Sequence, residues 1–236
     1  PDRGLYMPER LNKLSKEFFE GIDKMTFQEM SFEVAKAFFG EDIPEADLKK
    51  IVYDTLAFPT PVVKVDENIY SLELFHGPTL AFKDVGARFM ARLLGYFNKE
   101  EKQLVNVLVA TSGDTGSAVA NGFLGVEGVH VYVLYPKGKV SPIQECQFTT
   151  LGRNITAVEV DGVFDDCQAL VKNAFMDAEL NQRMKLTSAN SINVARFLPQ
   201  AFYYFNAYAQ MKAMGKADNL VICVPSGNFG NITADL

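Results

Sequence analysis

The chain has 236 residues, with 23 basic and 29 acidic side chains and a formal net charge of -6 at pH 7. This acidic balance, without a basic stripe, argues against a nucleic-acid partner, and no apolar run approaches the roughly 20 residues of a membrane span. The cysteines, Cys146, Cys167 and Cys223, are odd in number and far apart, which suits neither a disulfide framework nor a zinc site. We therefore expect a metal-free protein of a reducing compartment, the cytoplasm.

The predicted elements begin with helices. Apolar residues between 30 and 38 share one helical face that closes at Gly40, and those between 48 and 56 share another that starts near Pro44. After a break at Phe58-Pro59-Thr60-Pro61, strands rich in β-branched residues alternate with helices. The predicted strands are 62–65, 104–110, 130–135, 155–160 and 220–224, with Cys223 as a buried residue of the last. The predicted helices are 84–97, 116–124, 142–151, 165–180 and 192–214, and Pro199 favours a kink in the last.

This alternation of helices and nearly continuous apolar strands predicts an α/β fold whose parallel sheet is covered by helices.

Both ends of the sequence indicate that it is part of a longer chain. It begins with Pro1 rather than methionine, and it stops about one turn into the helix predicted after residue 231. We therefore expect an N-terminal fragment of a longer protein.

Lys83 lies in an unusual setting for a lysine. It follows Leu80, Ala81 and Phe82 and precedes a helix whose apolar residues recur every four positions from Val85. Burial and a helix N-terminus both disfavour the charged ammonium, and the neutral amine is the form that attacks a carbonyl group. A partly buried structural lysine is the alternative interpretation of this segment alone.

Two glycine-containing turns follow predicted strands and precede predicted helices: residues 111–116 (TSGDTG) and 225–231 (PSGNFGN). In open α/β sheets, ligands bind beyond the carboxyl ends of strands, where backbone amides face an anion. Ordinary strand-to-helix turns would explain either segment alone. The sequence lacks the dinucleotide, Walker A and nucleophile-elbow motifs, so we expect another phosphorylated ligand. Pyridoxal phosphate fits, because its aldehyde needs an amine and its phosphate an anion-binding loop.

Segments 74–84, 110–116, 135–142, 187–196 and 224–231, in this order, resemble the threonine synthase family of bacteria and fungi. Residues 2–8 also resemble the N-terminal segment of that family. The resemblance implies the tryptophan-synthase-β-like fold, called fold type II, with pyridoxal 5'-phosphate as cofactor. It also implies conversion of O-phospho-L-homoserine and water to L-threonine and phosphate, with a small molecule as the partner and either a monomer or a homodimer as the assembly.

By the same resemblance, Lys83 is the catalytic residue and binds the cofactor aldehyde covalently. Asp114 stands where relatives often have an asparagine near the 3'-oxygen of the cofactor. The cofactor phosphate is expected at Gly227, Asn228, Phe229, Gly230 and Asn231. The substrate is expected at Ser112, Gly113, Thr115, Asn190, Ser191, Asn193 and Arg196, of which Ser112, Thr115 and Arg196 are candidates for the departing phosphate. Helix capping by Ser191 or Asn190 is compatible with this assignment.

The implied domains are a helical N-terminal region (1–60), a strand and lysine segment (61–84), a smaller α/β domain (85–200) and the start of a larger cofactor-binding domain (201–236). The aromatic residues between 202 and 208 are interpreted as core or subunit contact.

Two alternative functions stay open. One is another lyase of the same fold, such as a threonine dehydratase or a cysteine synthase, and the other is a non-catalytic phosphate-binding α/β protein.

Overall fold

The structure is a computed structural model that describes residues 9–10, 12–99, 103–190, 193–227 and 229–234. Its helices are α1 (Lys16–Gly21), α2 (Phe27–Phe39), α3 (Glu45–Thr55), α4 (Lys83–Phe97), α5 (Asp114–Phe123), α6 (Pro142–Thr149), α7 (Phe164–Met176), α8 (Ala178–Arg183), α9 (Val194–Phe197), α10 (Ala201–Ala213) and α11 (Gly230–Thr233). Its strands are β1 (Val62–Asp66), β2 (Ile69–Leu72), β3 (Val105–Ala110), β4 (Val129–Pro136), β5 (Ile155–Val160) and β6 (Lys185–Ser188). Short 3-10 turns cover Ile22–Lys24 and Leu198–Gln200.

The chain divides into two compact units. Unit 1 comprises Pro1–Val85 and Phe197–Leu236, and unit 2 comprises Gly86–Arg196. The functional domains predicted from the sequence, including a larger cofactor-binding domain that starts near residue 201, stay predictions.

Unit 1 joins the N-terminal helices to α10. Thr26 and Glu29 form a capping box that begins α2, and the helix ends at Gly40, as the sequence predicts. Pro44 precedes α3, also as predicted. Strands β1 and β2 form an antiparallel hairpin. The amide nitrogens of Asn206 and Gln210, both on α10, donate to the Thr60 carbonyl at 3.0 and 2.9 Å, which ties this helix to the segment that precedes β1.

Unit 2 contains a four-stranded sheet in the order β5-β4-β3-β6, with every pair parallel. Val107, Val109, Val131 and Val133 face one side and form a core with buried alanines of α5. On the other side, Cys167 and Val171 of α7 are buried against Ala110. The predicted parallel sheet with helices on both faces is therefore confirmed.

Residues 220–224 are not a strand, so this prediction is wrong. The segment has no regular secondary structure, and Val221 is 87% exposed. A strand requires a neighbour that accepts its ladder hydrogen bonds, and none of the described strands pairs with this segment. Cys223 is accordingly exposed rather than buried.

Two predicted helices are shorter than expected. The helix predicted over 165–180 is interrupted at Asp177, whose carboxylate accepts a hydrogen bond from the Leu180 amide and thereby begins α8. The helix predicted over 192–214 is divided into α9, the 3-10 turn that contains Pro199, and α10, because proline cannot donate the helical hydrogen bond. Its predicted start at residue 192 lies outside the described residues.

Strands β2 and β6 are not among the strands predicted from the sequence.

Within the described residues, no helix has the length and apolar character of a membrane span. No group of three His, Cys, Asp or Glu side chains in the same part of the chain is arranged to hold a metal ion.

Candidate cofactor site

Lys83 is the first residue of α4 and belongs to unit 1. Its side chain is half-buried, and the Nζ atom lies 5.7 Å from the centre of the Phe82 ring. The turn before it includes Leu80 in the left-handed region at φ 58°, a conformation that non-glycine residues seldom adopt. A primary amine is therefore placed where an unusual turn meets a helix start.

Asp84 fixes the shape of this turn from inside. The carboxylate is buried and accepts hydrogen bonds from the Thr79 amide at 2.9 Å and from the Thr79 hydroxyl at 2.5 Å. A Cβ atom added at Gly77 would lie 2.4 Å from Asp84 Oδ2, so only glycine fits there. Because a buried charge needs such partners, the Asp84–Thr79 contact holds residues 77–84 in one conformation.

The glycine turn near the end of the chain also belongs to unit 1. The Ser226 hydroxyl donates to Asn231 Oδ1 at 2.8 Å, and the backbone amide of Thr233 donates to the Phe229 carbonyl at 2.9 Å. A Cβ atom added at Gly227 would meet no atom within 4 Å, so the described residues leave the space on that side of the glycine unfilled. Gly230 begins α11, and Phe229 precedes it. Asn228, which the sequence predicts as a cofactor contact, lies outside the described residues.

The turn at residues 111–116 belongs to unit 2. The Thr111 hydroxyl accepts from the amides of Gly113 and Gly116 at 3.0 and 2.8 Å and donates to the Gly113 carbonyl at 3.1 Å. Gly113 has φ 147°, which favours glycine. These bonds fold the backbone around Thr111, whereas Ser112 and Asp114 are exposed and Thr115 is half-buried.

Gln144, on α6, is a residue that the sequence reasoning missed. Its Nε2 atom donates to Asp114 Oδ1, and its Oε1 atom accepts from the Ser141 hydroxyl at 2.9 Å. A Cβ atom at Gly113 would fall 2.4 Å from Gln144 Oε1. The Gln144 side-chain amide therefore packs against the turn at Gly113, and Asp114 acts as the acceptor of its hydrogen bond. The Ser-x-x-Gln spacing at 141–144 is a helix-start signature that would have drawn attention to this residue.

In unit 2, the described residues between 188 and 196 form hydrogen bonds with one another. Asn193 Oδ1 accepts from the Ala195 amide at 3.0 Å, so Asn193 caps α9. Of the two cap candidates from the sequence, Asn190 does not cap this helix, and Ser191 lies outside the described residues. The Asn190 carbonyl instead accepts from the Asn193 amide at 3.1 Å. Arg196 is only 1% exposed and donates from its guanidinium to the Ala189 carbonyl at 3.1 Å.

The predicted site residues are thus distributed over both units. Unit 1 contributes Lys83 and the turn around Gly227, and unit 2 contributes residues 112–115 and the segment at 190–196. The groups in unit 1 suit pyridoxal phosphate, since a half-buried primary amine fits an aldehyde and an open glycine turn with serine and asparagine side chains fits a phosphate.

Comparisons with known proteins point in the same direction. Residues 1–56 match the family described as threonine synthase N terminus, and residues 53–234 match the family described as pyridoxal-phosphate dependent enzyme. The chain is 51% identical over 235 residues to threonine synthase of Haemophilus influenzae, covering 100% of this chain and 54% of that relative. It is 49% identical over 235 residues to threonine synthase of Escherichia coli, with the same coverage.

Solved structures give the same result. The crystal structure of threonine synthase from Escherichia coli superposes with a TM-score of 0.90 at 49% identity, covering 99% of this chain and 54% of that one. The structure of pyridoxal-phosphate-bound threonine synthase from Brucella melitensis superposes with a TM-score of 0.90 at 39% identity, covering 99% and 51%. The chain spans about half the length of the curated relatives that it matches. With its second family match covering most of its length, the chain belongs to the pyridoxal-phosphate dependent enzyme family.

Proposed function

We propose that the full-length protein is a threonine synthase, which converts O-phospho-L-homoserine and water to L-threonine and phosphate. The observation that carries this proposal is the half-buried amine of Lys83, presented at the start of α4 by a turn that buried Asp84 holds. The similarity of all of this chain to about half of two bacterial threonine synthases supports the choice of reaction. The small-molecule substrate is the proposed partner.

Lys83 has two tasks in this proposal. Its Nζ atom would hold the cofactor aldehyde, and as an amine it would accept a proton from one substrate carbon and return a proton to another. When bound, pyridoxal phosphate supplies a conjugated ring that accepts electron density from the carbon that loses its proton. The centre of the Phe82 ring lies 5.7 Å from Nζ, so an aromatic side chain neighbours the amine.

The turn around Gly227 binds the cofactor phosphate in this proposal. The open backbone beside Gly227 lets an anion approach the amides, and the Ser226–Asn231 hydrogen bond holds the two ends of the turn together. Phe229, Gly230 and Asn231 complete the turn.

The residues of unit 2 recognise the substrate in this proposal. Ser112 is exposed and Thr115 half-buried, so these hydroxyls can donate to the substrate phosphate. Asp114 accepts a hydrogen bond from Gln144 and can therefore accept another from a donor group of the ligand. Buried Arg196, which donates to the Ala189 carbonyl, supports the segment that carries Asn190 and Asn193.

The test is a substrate panel on the full-length protein with added pyridoxal phosphate. We expect O-phospho-L-homoserine to yield equal amounts of phosphate and threonine, and L-threonine and O-acetyl-L-serine to react far more slowly. Deamination of L-threonine, or sulfide-dependent use of O-acetyl-L-serine, as the dominant activity would instead favour a dehydratase or cysteine synthase. Absence of turnover with every substrate, together with cofactor-independent phosphate binding, would favour the non-catalytic alternative.

A further inference from the structure

Two adjacent tyrosines on α10 bond to the two cofactor segments of unit 1. The Tyr203 hydroxyl donates to the Phe82 carbonyl at 2.6 Å, directly before Lys83. The Tyr204 hydroxyl donates to the Asn231 carbonyl at 2.7 Å, in the glycine turn. We propose that Tyr203 and Tyr204 are positioning residues that set the spacing between the Lys83 amine and the phosphate-binding turn. This inference rests on the proposed function.

Burial and ring stacking hold the side chain of Tyr203, which bonds to the Phe82 carbonyl. The side chain is 4% exposed, and its ring stacks on Phe27 with the two planes 25° apart. Burial, and secondarily the negative charge of Asp84, raise the pKa of the Tyr203 phenol well above its ordinary value of 10.0, so the hydroxyl stays a donor throughout the physiological pH range. The hydroxyl therefore holds the peptide bond between Phe82 and Lys83 in place.

Tyr204 contacts the glycine turn at the residue next to the start of α11. Its bond to the Asn231 carbonyl continues through the Asn231 side chain to the Ser226 hydroxyl, which lies on the other side of Gly227. The Cβ position of Gly227 faces open space, so packing does not fix the turn at this point. The hydroxyl of Tyr204 thus anchors the turn at the residue that closes it.

Both tyrosine hydrogen bonds start from the same helix, α10. Successive residues of an α-helix are separated by about 100° of rotation and 1.5 Å of rise, so adjacent tyrosines point in different directions from a common rigid element. A ligand that has both an aldehyde and a phosphate must satisfy both contacts at once. A ligand with the aldehyde alone depends only on the Lys83 side.

The inference predicts different ligand selectivity for two matched variants of the full-length protein, Y203F and Y204F. Dissociation constants are measured for pyridoxal 5'-phosphate and for pyridoxal, which lacks the phosphate. Loss of one hydrogen bond in Y204F should raise the constant for pyridoxal 5'-phosphate about fivefold and leave that for pyridoxal unchanged. Y203F should raise both constants by a similar factor. The control, Y208F, removes a hydroxyl from the same helix and should change neither.

The inference is overturned if Y204F changes the dissociation constants for both ligands equally, or if neither variant changes either constant. If Lys83 of the wild type still forms a borohydride-reducible adduct, the proposed function stands. A wild-type protein that forms no such adduct would overturn the proposed function as well. If Y203F fails to fold by circular dichroism, the two ligand constants of Y204F decide the question.

Discussion

The two units differ in how completely they bury their apolar residues. In unit 2, parallel strands β3 and β4 are flanked by β6 and β5, and Val131 is 0% exposed. In unit 1, the hairpin of β1 and β2 is largely exposed, and residues 220–224 remain apolar, irregular and in contact with solvent. Hydrophobic sequence alone therefore does not make a strand, because the ladder partner decides whether an apolar segment becomes a buried strand.

The turns proposed to bind ligands, one in each unit, differ in a related way. In unit 2, the turn at 111–116 is held mainly by Thr111, whose partners are two and five residues away. In unit 1, Phe82 is held by Tyr203, which is 121 residues away in sequence. The turn at 111–116 is recognisable as a motif because its hydrogen bonds join residues close in sequence. The segment at Phe82 depends on a contact that only the fold brings together.

The largest expected effect concerns Lys83, the residue to which the proposed function assigns the chemistry. Under the proposed function, replacement by alanine removes the amine that would bind the cofactor and move protons, so turnover should fall by about 1,000-fold or more. Lys64→Ala, which removes an exposed lysine of β1 in the same unit, should leave the rate unchanged. Phosphate release measures both rates. Substantial turnover by the Lys83 variant would contradict the assignment.

The contrast in burial predicts a matched pair of stability changes in the 236-residue chain. Val131→Ala removes methyl groups from a fully buried site of β4 and should lower the free energy of unfolding by about 2–3 kcal/mol. Val221→Ala makes the same chemical change at a site that is 87% exposed and should alter it by less than about 0.5 kcal/mol. Urea unfolding measures both. Equal losses would show that residues 220–224 are packed after all.

Gln144 tests whether the turn of unit 2 needs support from another helix. Gln144→Leu keeps the size of the side chain but removes the donor to Asp114, so kcat/KM should fall about tenfold, as expected for one hydrogen bond to a charged group. Thermal stability should change little. Gln182→Leu, on exposed α8, is the control and should preserve kcat/KM. Unchanged kinetics in Gln144→Leu would mean that Asp114 needs no such support.

The smallest expected effect is a pH dependence in unit 1. Lys212 lies 3.0 Å from Asp23, and this contact lowers the pKa of the Asp23 carboxyl below its ordinary value of 3.8. Because the folded state favours the ionised form, the stabilisation is present above that value and is lost as the pH falls through the lowered pKa. Asp23→Asn should therefore lower Tm at pH 7, and the difference should shrink in acid. A difference that persists undiminished at about pH 2 would contradict this origin.

Most of the sheet in unit 2 could be predicted from sequence, because β3, β4 and β5 are runs of β-branched residues whose burial depends on their neighbours in the same unit. β6 was missed because Lys185, Thr187 and Ser188 make it polar. Among the proposed site residues, the glycines at 113 and 227 and the lysine at 83 are predictions from local sequence pattern. Gln144, Tyr203 and Tyr204 are not among the site residues predicted from sequence, because their hydrogen bonds join segments that are distant in sequence.

The most direct test of the central claim is reduction of the full-length protein with borohydride after incubation with pyridoxal phosphate, followed by mass spectrometry of its peptides. The account predicts a yellow protein that loses its colour on reduction, with the mass of reduced pyridoxal phosphate on the peptide that contains Lys83. A protein that stays colourless with Lys83 unmodified, or one labelled only at another lysine, would contradict it.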